Sequence, residues 1–165
     1  MTCIVLIGPM GAGKTTLGKK LAKALELPFQ DTDRMVESKH GSISSIFDGQ
    51  GEEKFRDYEQ DALVDALRAG GVVATGGGVV LREQNRRALD GHKVIFLDTD
   101  ANSVIRRVNL LKRPLLRENP ERWTEIYHQR LPLYESIAGE KLFTGNRPIK
   151  HLVSELRTKV ETYGK

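Results

Sequence analysis

Cysteine is nearly absent from this chain of 165 residues, which has a single one, Cys3, so no disulfide can form within it. No apolar run approaches the roughly 18 residues that a membrane-spanning helix needs. Met1 is followed by no basic leader, so we expect no signal peptide. These absences argue against disulfide-rich secreted proteins and against membrane-spanning proteins, and a cytoplasmic location is the simplest expectation.

Neither sign of charge is in large excess: 26 Lys and Arg against 22 Asp and Glu leave a net charge of +4. The basic residues are spread among acidic ones, so we expect no nucleic-acid or membrane partner, and a small anionic ligand fits better. The chain is 39% hydrophobic and 29% charged, as is typical of a globular protein. This length predicts one domain spanning residues 1–165.

Short apolar runs alternate with helical patterns along the chain, which predicts an α/β fold. Ile4–Ile7, Val72–Ala74 and Val94–Leu97 are continuous apolar runs and indicate buried strands. Pro28–Gln30 and Leu142–Phe143 are weaker strand candidates. Continuous apolar strands between helices indicate a parallel sheet covered on both faces, a three-layer α/β/α arrangement. In such sheets, ligands bind at the carboxyl ends of the strands.

A phosphate-binding loop follows the first predicted strand. The residues from Gly8 to Thr15 read Gly-Pro-Met-Gly-Ala-Gly-Lys-Thr and match G-x-x-x-x-G-K-[ST] in full. Glycines let backbone amides face phosphate oxygens, and the helix that follows adds the positive end of its dipole. We expect Lys14 to reach the β- and γ-phosphates and the Thr15 hydroxyl to bind Mg²⁺. The predicted nucleotide-binding residues of this loop are Gly11, Ala12, Gly13, Lys14, Thr15 and Thr16.

Three classes of P-loop protein are compatible with this motif: GTPases, motor or nucleic-acid ATPases, and small-molecule kinases. The guanine signature Asn-Lys-x-Asp is missing, and Asp48–Gly51, which matches D-x-x-G, is interpreted as a turn because no apolar strand precedes it. Asp98 follows an apolar strand and either binds Mg²⁺ or lies in a stretch that caps the next helix. A chain this short has little room for the coupling machinery of a motor, so a kinase is favoured.

A kinase needs a second pocket that holds an acceptor hydroxyl in line with the γ-phosphate. Asp31 and Asp33 alternate at the end of a predicted strand, so we expect them to project to different sides, one toward Mg²⁺ and one toward a substrate hydroxyl. Gly76–Gly78 ends another strand and permits close approach of the backbone to a small ligand. Each feature taken singly also fits a helix cap or a turn.

Two arginines complete the predicted acceptor pocket. Arg56 and Glu59 are three residues apart on a predicted helix, so the carboxylate can hold the guanidinium ready for a substrate anion. Arg130 supplies a second guanidinium. The Arg56 and Glu59 pair could equally be a surface ion pair, so the prediction depends on all these features occurring together with the P-loop.

The combination of six motifs resembles the shikimate kinase family. The motifs occur in the order and at the approximate spacing that this family shows, and the resemblance extends from residue 4 to about residue 150. The motifs are Gly8–Thr15, Asp31-Thr32-Asp33, Phe55-Arg56-x-x-Glu59, Gly76–Gly78, Arg113-Pro114-Leu115-Leu116 and Arg130-x-Pro132-Leu133-Tyr134. The resemblance implies a fold like that of nucleoside monophosphate kinases, with a five-stranded parallel sheet in the order 2-3-1-4-5. It also implies a substrate-binding region at about residues 32–60, a lid at about 110–122, and a monomer.

The same resemblance implies transfer of the γ-phosphate of ATP to the 3-hydroxyl of shikimate, with Mg²⁺ as cofactor. It implies Lys14, Asp33 and Arg113 as catalytic residues, Asp33 acting either as the base or as an orienting group. Thr15 would bind Mg²⁺ directly and Asp31 through water. The implied shikimate-binding residues are Asp33, Arg56, Gly76, Gly77, Gly78 and Arg130, and the further nucleotide-binding residues are Arg107, Arg113 and Arg147.

Two other functions are compatible with the sequence. A related carbohydrate-acid kinase, such as gluconate kinase, would share the P-loop and the general fold. A catalytically silent binding protein of shikimate-kinase type would share the pockets without turnover. Trp123, the single tryptophan, follows the predicted lid, and we expect it to be half exposed and to report lid closure by its fluorescence.

Overall fold

A computed structural model describes residues 2–108 and 120–165 of the chain. Most of the predicted lid, and with it the Arg113 motif, lies outside the described residues. Within those two ranges, no helix combines the length and apolar character needed to cross a membrane.

In the described parts of the chain, five strands form one sheet in which every neighbouring pair is parallel, in the order β2-β3-β1-β4-β5. This confirms the predicted sheet and its order. Val5, at the centre of β1, is paired with Val73 of β3 on one side and Val94 of β4 on the other. The strands are β1 (Ile4–Ile7), β2 (Phe29–Asp31), β3 (Val72–Ala74), β4 (Lys93–Asp98) and β5 (Glu140–Phe143).

Helices cover both faces of this sheet. The described helices are α1 (Lys14–Leu25), α2 (Thr32–His40), α3 (Ile43–Gln50), α4 (Glu52–Ala69), α5 (Glu83–Ala88), α6 (Ala101–Val108), α7 (Pro120–Ile137) and α8 (Ile149–Glu161), with a 3₁₀ turn at Val79–Leu81. Because alternate residues of a strand face opposite sides, Leu6 of β1 packs with α1 and α8, whereas Val5 packs with α4 and α7. The arrangement is the predicted three-layer α/β/α fold.

The helices after β2 differ from the sequence prediction. Asp31 accepts a hydrogen bond from the backbone N–H of Arg34 (3.2 Å) and caps α2, so the helix begins at Thr32. Asp33 therefore lies in the first helical turn, and the prediction that it continues the strand was wrong. The expected turn at Asp48–Gly51 is the last turn of α3, which ends at Gln50 before Gly51, with φ of +88°.

The carboxyl ends of the central strands converge on one edge of the sheet. β1 leads into the phosphate loop, β2 ends at Asp31, β3 leads into Gly76–Gly78 and β4 ends at Asp98. The phosphate loop, Asp31, the glycine triplet and Asp98 are thus carried to one edge by four separate strands, as expected for a parallel sheet.

Candidate active site

A cleft of about 790 Å³ opens at this edge of the sheet. Its walls come from the phosphate loop, the start of α2, the faces of α3 and α4, the glycine triplet Gly76–Gly78 and helix α7. This volume is within the range of small-molecule pockets, roughly 300–1,000 Å³.

The phosphate loop forms one end of the cleft. The Lys14 ammonium donates hydrogen bonds to the carbonyl oxygens of Gly8 and Pro9, the latter at 3.0 Å, so the loop curls around its own cation. A side chain at Gly8 would overlap the carbonyl oxygen of Leu97, so the loop can leave β1 beside β4 only with glycine at that position. α1 begins at Lys14, which directs its N-terminal amides toward the loop.

Thr15 and Asp31 meet beside the loop. The Thr15 hydroxyl donates a hydrogen bond to Asp31 Oδ2 at 2.7 Å, although sixteen residues separate them in the chain. Asp31 uses its other oxygen to cap α2. Two oxygen donors are therefore held together at the edge of the predicted phosphate site, and hydroxyl and carboxylate oxygens are the ligand types that Mg²⁺ prefers.

Arg56 lies in the second turn of α4 and is held by two carboxylates. It donates to Glu59 Oε1 at 2.9 Å and is paired with Glu52 at 3.3 Å. This confirms the predicted pairing of Arg56 with Glu59, and both side chains are buried rather than on the surface. Among the described residues, Arg56 Nε and Glu59 Oε2 are buried without a hydrogen-bond partner. Buried polar groups are normally paired, so these two atoms point to a polar ligand in the cleft.

The glycine triplet packs directly against the charged side chains. A Cβ at Gly78 would lie 2.6 Å from Arg56 Cζ, and a Cβ at Gly76 would lie 2.7 Å from Asp33 Oδ1. Gly77 lies between the two ends of the cleft, because a Cβ there would be 3.5 Å from both Met10 N and Arg130 Nη1. The triplet therefore lets Asp33, Arg56 and Arg130 surround one backbone segment.

Asp33 lies in the cleft among other carboxylates. Burial, reinforced by the negative charges of Glu59 and Asp31, raises the pKa of Asp33 to about 6, and Lys14 opposes this shift. Burial also raises the pKa of Glu59, with Arg56 acting against it. A carboxyl group whose pKa is near neutrality is suited to accept a proton or a hydrogen bond from a substrate hydroxyl.

Helix α7 brings a stripe of ring side chains to the cleft, with Arg130 among them. The Tyr134 hydroxyl donates to the carbonyl of Gly77 at 2.6 Å, and the Trp123 indole N–H donates to the carbonyl of Met10 at 2.8 Å. Burial raises the pKa of Tyr134 to about 12, with Arg130 opposing the shift. α7 is thus attached both to the phosphate loop and to the glycine triplet, which sets the position of Arg130 between them.

Trp123 is 5% exposed, so the expectation of a half-exposed indole was wrong. Its ring stacks on Tyr127 at 5.1 Å, and its N–H is bonded to the phosphate loop. The position of Trp123 beside the predicted lid suggested that it would be exposed. Its side chain instead points inward, where Tyr127 is an aromatic partner and the Met10 carbonyl accepts its hydrogen bond.

Asp98 is held by protein groups at the end of β4. It accepts a hydrogen bond from the Tyr127 hydroxyl at 2.8 Å and is paired with Lys141 at 3.4 Å. The next helix is capped by Asp100, which accepts from the N–H of Ser103 at 2.7 Å. The sequence left open whether Asp98 binds a metal or caps a helix; these contacts give it a structural role that attaches α7 to the sheet.

The arginines predicted for the nucleotide base lie farther along the chain. Arg147 donates to the carbonyl of Phe143 at 2.9 Å and is paired with Glu155 on α8. Next to it, the Thr144 hydroxyl donates to the carbonyl of Ala12 at 2.8 Å, which brings this segment to the outer side of the phosphate loop. Arg107 lies on α6, and Arg113 lies outside the described residues.

The comparisons with known proteins agree with this geometry. The family model of shikimate kinase matches residues 10–161. A shikimate kinase of Pseudomonas fluorescens is 43% identical over 162 residues, covering 94% of each chain. A shikimate kinase of Thioalkalivibrio sulfidiphilus is 45% identical over 159 residues, covering 93% of this chain and 84% of that protein. The chain belongs to the shikimate kinase family.

A solved structure of the same family matches the fold closely. Shikimate kinase from Acinetobacter baumannii, in complex with shikimate, superimposes with a TM-score of 0.88 at 35% identity, over 100% of this chain and 96% of that one. The predicted membership in this family of kinases is confirmed, as is the fold. The match extends through both the phosphate loop and the acceptor side of the cleft.

Some residues around the shikimate kinase cleft were not singled out from the sequence. Ile43 and Phe47 of α3 form part of its wall, but a short polar-rich segment carries no clear helical period from which to predict them. Thr32 accepts a hydrogen bond from the N–H of Gly76 at 3.3 Å and links α2 to the triplet. Only the parallel pairing of β2 with β3 makes that contact possible.

Proposed function

We propose that this chain transfers the γ-phosphate of ATP to the 3-hydroxyl of shikimate, giving shikimate 3-phosphate and ADP. The observation that carries the proposal is one cleft with a phosphate loop at one end and a cluster of Asp33, Arg56 and Arg130 around the glycine triplet at the other. A carboxylate substrate with neighbouring hydroxyls has the polarity that this cluster would bind.

On the donor side, the backbone amides from Gly11 to Thr16 would bind the β- and γ-phosphates. Lys14, now bonded to carbonyls of its own loop, would turn to the oxygens that gain charge during transfer. Phosphoryl transfer passes through a loose transition state, so positioning and charge contribute more than strong base catalysis.

The pair Thr15 and Asp31 fits Mg²⁺, since both offer oxygen atoms at the edge of the phosphate site. We propose that Thr15 binds the ion directly and Asp31 through a water molecule. The ion would neutralise charge on the β- and γ-phosphates. Few protein ligands are needed, because Mg²⁺ keeps several waters and takes its other ligands from phosphates.

On the acceptor side, Arg56 and Arg130 would bind the shikimate carboxylate. Glu59 would hold the Arg56 guanidinium through one of its oxygens, as it does at 2.9 Å. The backbone of Gly76–Gly78 would pass beneath the ring, where a side chain would fill the space. Charge-assisted bonds from two guanidinium groups both bind the anion and set its orientation.

Asp33 would accept the hydrogen bond of the 3-hydroxyl and orient it toward the γ-phosphate. With a pKa raised to about 6, it is ionised at neutral pH yet basic enough to take the proton as the oxygen attacks. Asp33 must be ionised both to orient the hydroxyl and to take its proton. The pH profile of kcat/KM would therefore fall at acid pH in the same way for either role.

Three further arginines belong to the proposal. We assign Arg107 and Arg147 to the adenine and Arg113 to the transferring phosphate. Arg147 lies on the segment that touches the outside of the phosphate loop, which supports its assignment. The cluster of acceptor residues is contributed by one chain, so we also propose that the enzyme acts as a monomer, which sedimentation velocity would test.

A gluconate kinase would use the same phosphate loop but meets an obstacle in the cleft. Ile43, Phe47 and Phe55 form an apolar wall, with the two phenylalanine rings 4.9 Å apart. The apolar atoms of a cyclohexene ring suit such a wall, whereas an open polyol would leave hydroxyl groups against it without partners. This contact favours shikimate over a sugar acid.

The test is ADP release from MgATP with shikimate, with gluconate, and with neither. We expect release that depends on shikimate, together with a new phosphate monoester signal in ³¹P NMR. Release with gluconate instead would identify the alternative kinase. A folded protein that binds ATP but turns over with neither acceptor would be a binding protein, and the proposal would be rejected.

A further inference from the structure

We infer that Arg82 is a positioning residue of the acceptor site, which sets where α4 holds Arg56 relative to the glycine triplet. The inference rests on the proposed function, because it concerns the binding of the acceptor carboxylate. Arg82 lies outside the cleft and touches neither end of it, so its effect would act through α4.

One guanidinium group attaches the segment after the glycine triplet to two turns of α4. Arg82 Nη1 donates to Asp57 Oδ1 at 2.8 Å and to Gln60 Oε1 at 3.1 Å. Arg82 Nη2 donates to Glu53 Oε1 at 2.8 Å and to the carbonyl of Glu53 at 3.3 Å. Four hydrogen bonds from a planar fork define a direction as well as a distance.

The three partners lie on one face of α4. Glu53, Asp57 and Gln60 are spaced by four and three residues, which places them in a single stripe along the helix. Arg56 is three residues after Glu53 and four before Gln60, so it lies beside this stripe on the helix surface. A rotation or slide of α4 that breaks the bonds to Arg82 must therefore also displace Arg56.

The other end of the connection is the glycine triplet itself. Arg82 follows Gly78 after one 3₁₀ turn, whose residues Val79 and Val80 are fully buried. That turn is a short connection between the triplet and Arg82. Arg56 packs so tightly on Gly78 that a Cβ there would lie 2.6 Å from Arg56 Cζ. Arg82 thus links α4, which carries Arg56, to the segment that carries Gly78. The contact between Arg56 and Gly78 leaves little room for either to move.

Charge acts in the same direction as geometry. Asp57 and Glu53 lie within one turn of Arg56, and Arg82 is paired with both, at 2.8 Å in each case. Without Arg82, these carboxylates would add negative potential beside Arg56 and would oppose the binding of a substrate anion. Arg82 is 21% exposed and paired at several points, so it differs from a single surface ion pair of little consequence.

The experiment measures the steady-state constants of Arg82→Ala for each substrate separately. We expect the KM for shikimate to rise about tenfold, equivalent to roughly 1.4 kcal/mol of lost acceptor binding. The KM for ATP should stay within about twofold, since no contact of Arg82 reaches the phosphate loop. An unchanged KM for shikimate, or an equal rise of both constants, would overturn the inference.

Two further variants keep the result interpretable. Gln60→Ala removes an uncharged partner of Arg82 and so weakens the attachment without altering the charge near Arg56. It should also raise the KM for shikimate, and it serves as the test if Arg82→Ala does not fold. Arg87→Ala is the matched control, because Arg87 makes an exposed pair with Glu83 on α5 at 2.9 Å and, among the described residues, makes no hydrogen bond or ion pair with α4. An equal effect of Arg87→Ala would show a general charge effect and contradict the inference.

A conservative variant separates positioning from charge. Arg82→Lys keeps the positive charge but lacks the fork that reaches three residues, so we expect only partial recovery of the KM for shikimate. Full recovery would reject the role of the fork. If the wild-type chain itself shows no turnover with shikimate, the proposed function fails and not the inference about Arg82; the two failures are thereby distinguished.

Discussion

The two ends of the cleft are built in opposite ways. The phosphate loop is one continuous segment, Gly8–Thr15, and its shape is determined by neighbouring backbone atoms and by the start of α1. The acceptor end takes Asp33 from α2, Arg56 from α4, the backbone of Gly76–Gly78, and Arg130 from α7. The first is local structure, whereas the second exists only when four segments are packed correctly.

The difference has a consequence for how each end tolerates change. The phosphate loop is held partly by its own residues, since Lys14 donates to the carbonyls of Gly8 and Pro9, and partly by Trp123 and Thr144, which donate to the carbonyls of Met10 and Ala12. The acceptor end is assembled from distant segments and depends throughout on contacts between them, such as those of Tyr134 and Arg82. We therefore expect remote substitutions to affect binding of the acceptor more than binding of the nucleotide.

The largest effect is expected at the donor end. Lys14→Ala should lower kcat by about 10²- to 10³-fold, because it removes a cation aimed at charge that develops in the transition state. Steady-state kinetics with saturating substrates would measure it, with Lys20→Ala, an exposed lysine of the same helix, as control. A normal kcat in Lys14→Ala would contradict the prediction that the donor end of the cleft stabilises the transition state, whereas the acceptor end mainly binds the substrate.

The next effect concerns the glycine triplet. Gly78→Ala should raise the KM for shikimate by up to about 10²-fold, because the new Cβ displaces the Arg56 guanidinium. The KM for ATP should change little. Gly49→Ala is the control, since a Cβ at Gly49 meets nothing within 4 Å. If Gly78→Ala changed both constants equally, the two ends of the cleft would not be as independent as their construction indicates.

The third prediction concerns the pH profile. The pKa of Asp33 is raised to about 6, so kcat/KM for shikimate should fall about tenfold per pH unit below that value as the carboxylate is protonated. The residual activity of Asp33→Asn should show no such limb. If the limb persists in that variant, another acceptor-side group carries the titration, and Glu59, whose pKa is also raised, is the first candidate.

The smallest effect is on stability. The folded pKa of Asp33 is about 6 against an ordinary 3.8, so its charge opposes folding at pH 7, and this cost disappears as the pH falls below 4. Asp33→Asn should raise the free energy of unfolding by about 1–2 kcal/mol at pH 7, discounted from the full shift because the side chain is partly exposed. Urea unfolding at pH 7 and pH 4 would measure it.

The matched result at low pH tests the origin of that gain. At pH 4 the wild-type side chain is protonated when folded, so the advantage of Asp33→Asn should shrink toward zero. A gain that is equal at both pH values would come from packing rather than from charge. Enzymes often sacrifice stability at reactive groups, and an acceptor end strained in this way would contrast with the locally satisfied phosphate loop.

Much of the fold followed from local patterns. Continuous apolar runs predicted the strands β1, β3 and β4. The helices after β2 were not predicted well, since Asp33 enters a helix that Asp31 caps and Asp48–Gln50 completes another. Short segments with few apolar residues carry little periodic signal, and their conformation depends on capping and packing.

Some features of the candidate site could likewise be predicted from local sequence patterns, and others could not. The pairing of Arg56 with Glu59 is a property of helical spacing and was predicted from it. The burial of Trp123 and its hydrogen bond to Met10 could not be predicted from the sequence, because the two residues are 113 positions apart in the chain. Arg82 was not singled out either, since an arginine near exposed carboxylates has no distinctive sequence pattern.

The sequence by itself determined the parallel α/β fold class and the phosphate loop, because both leave a local signature: continuous apolar runs for buried strands and a fixed glycine spacing for the loop. The tertiary structure decided how the acceptor pocket is assembled: which carboxylate approaches Gly76, which guanidinium presses on Gly78, and which helix holds Arg130 beside Gly77. Those contacts join segments tens of residues apart. Their geometry depends on how strands pair and helices pack, information that is distributed over the whole chain rather than contained in any one motif.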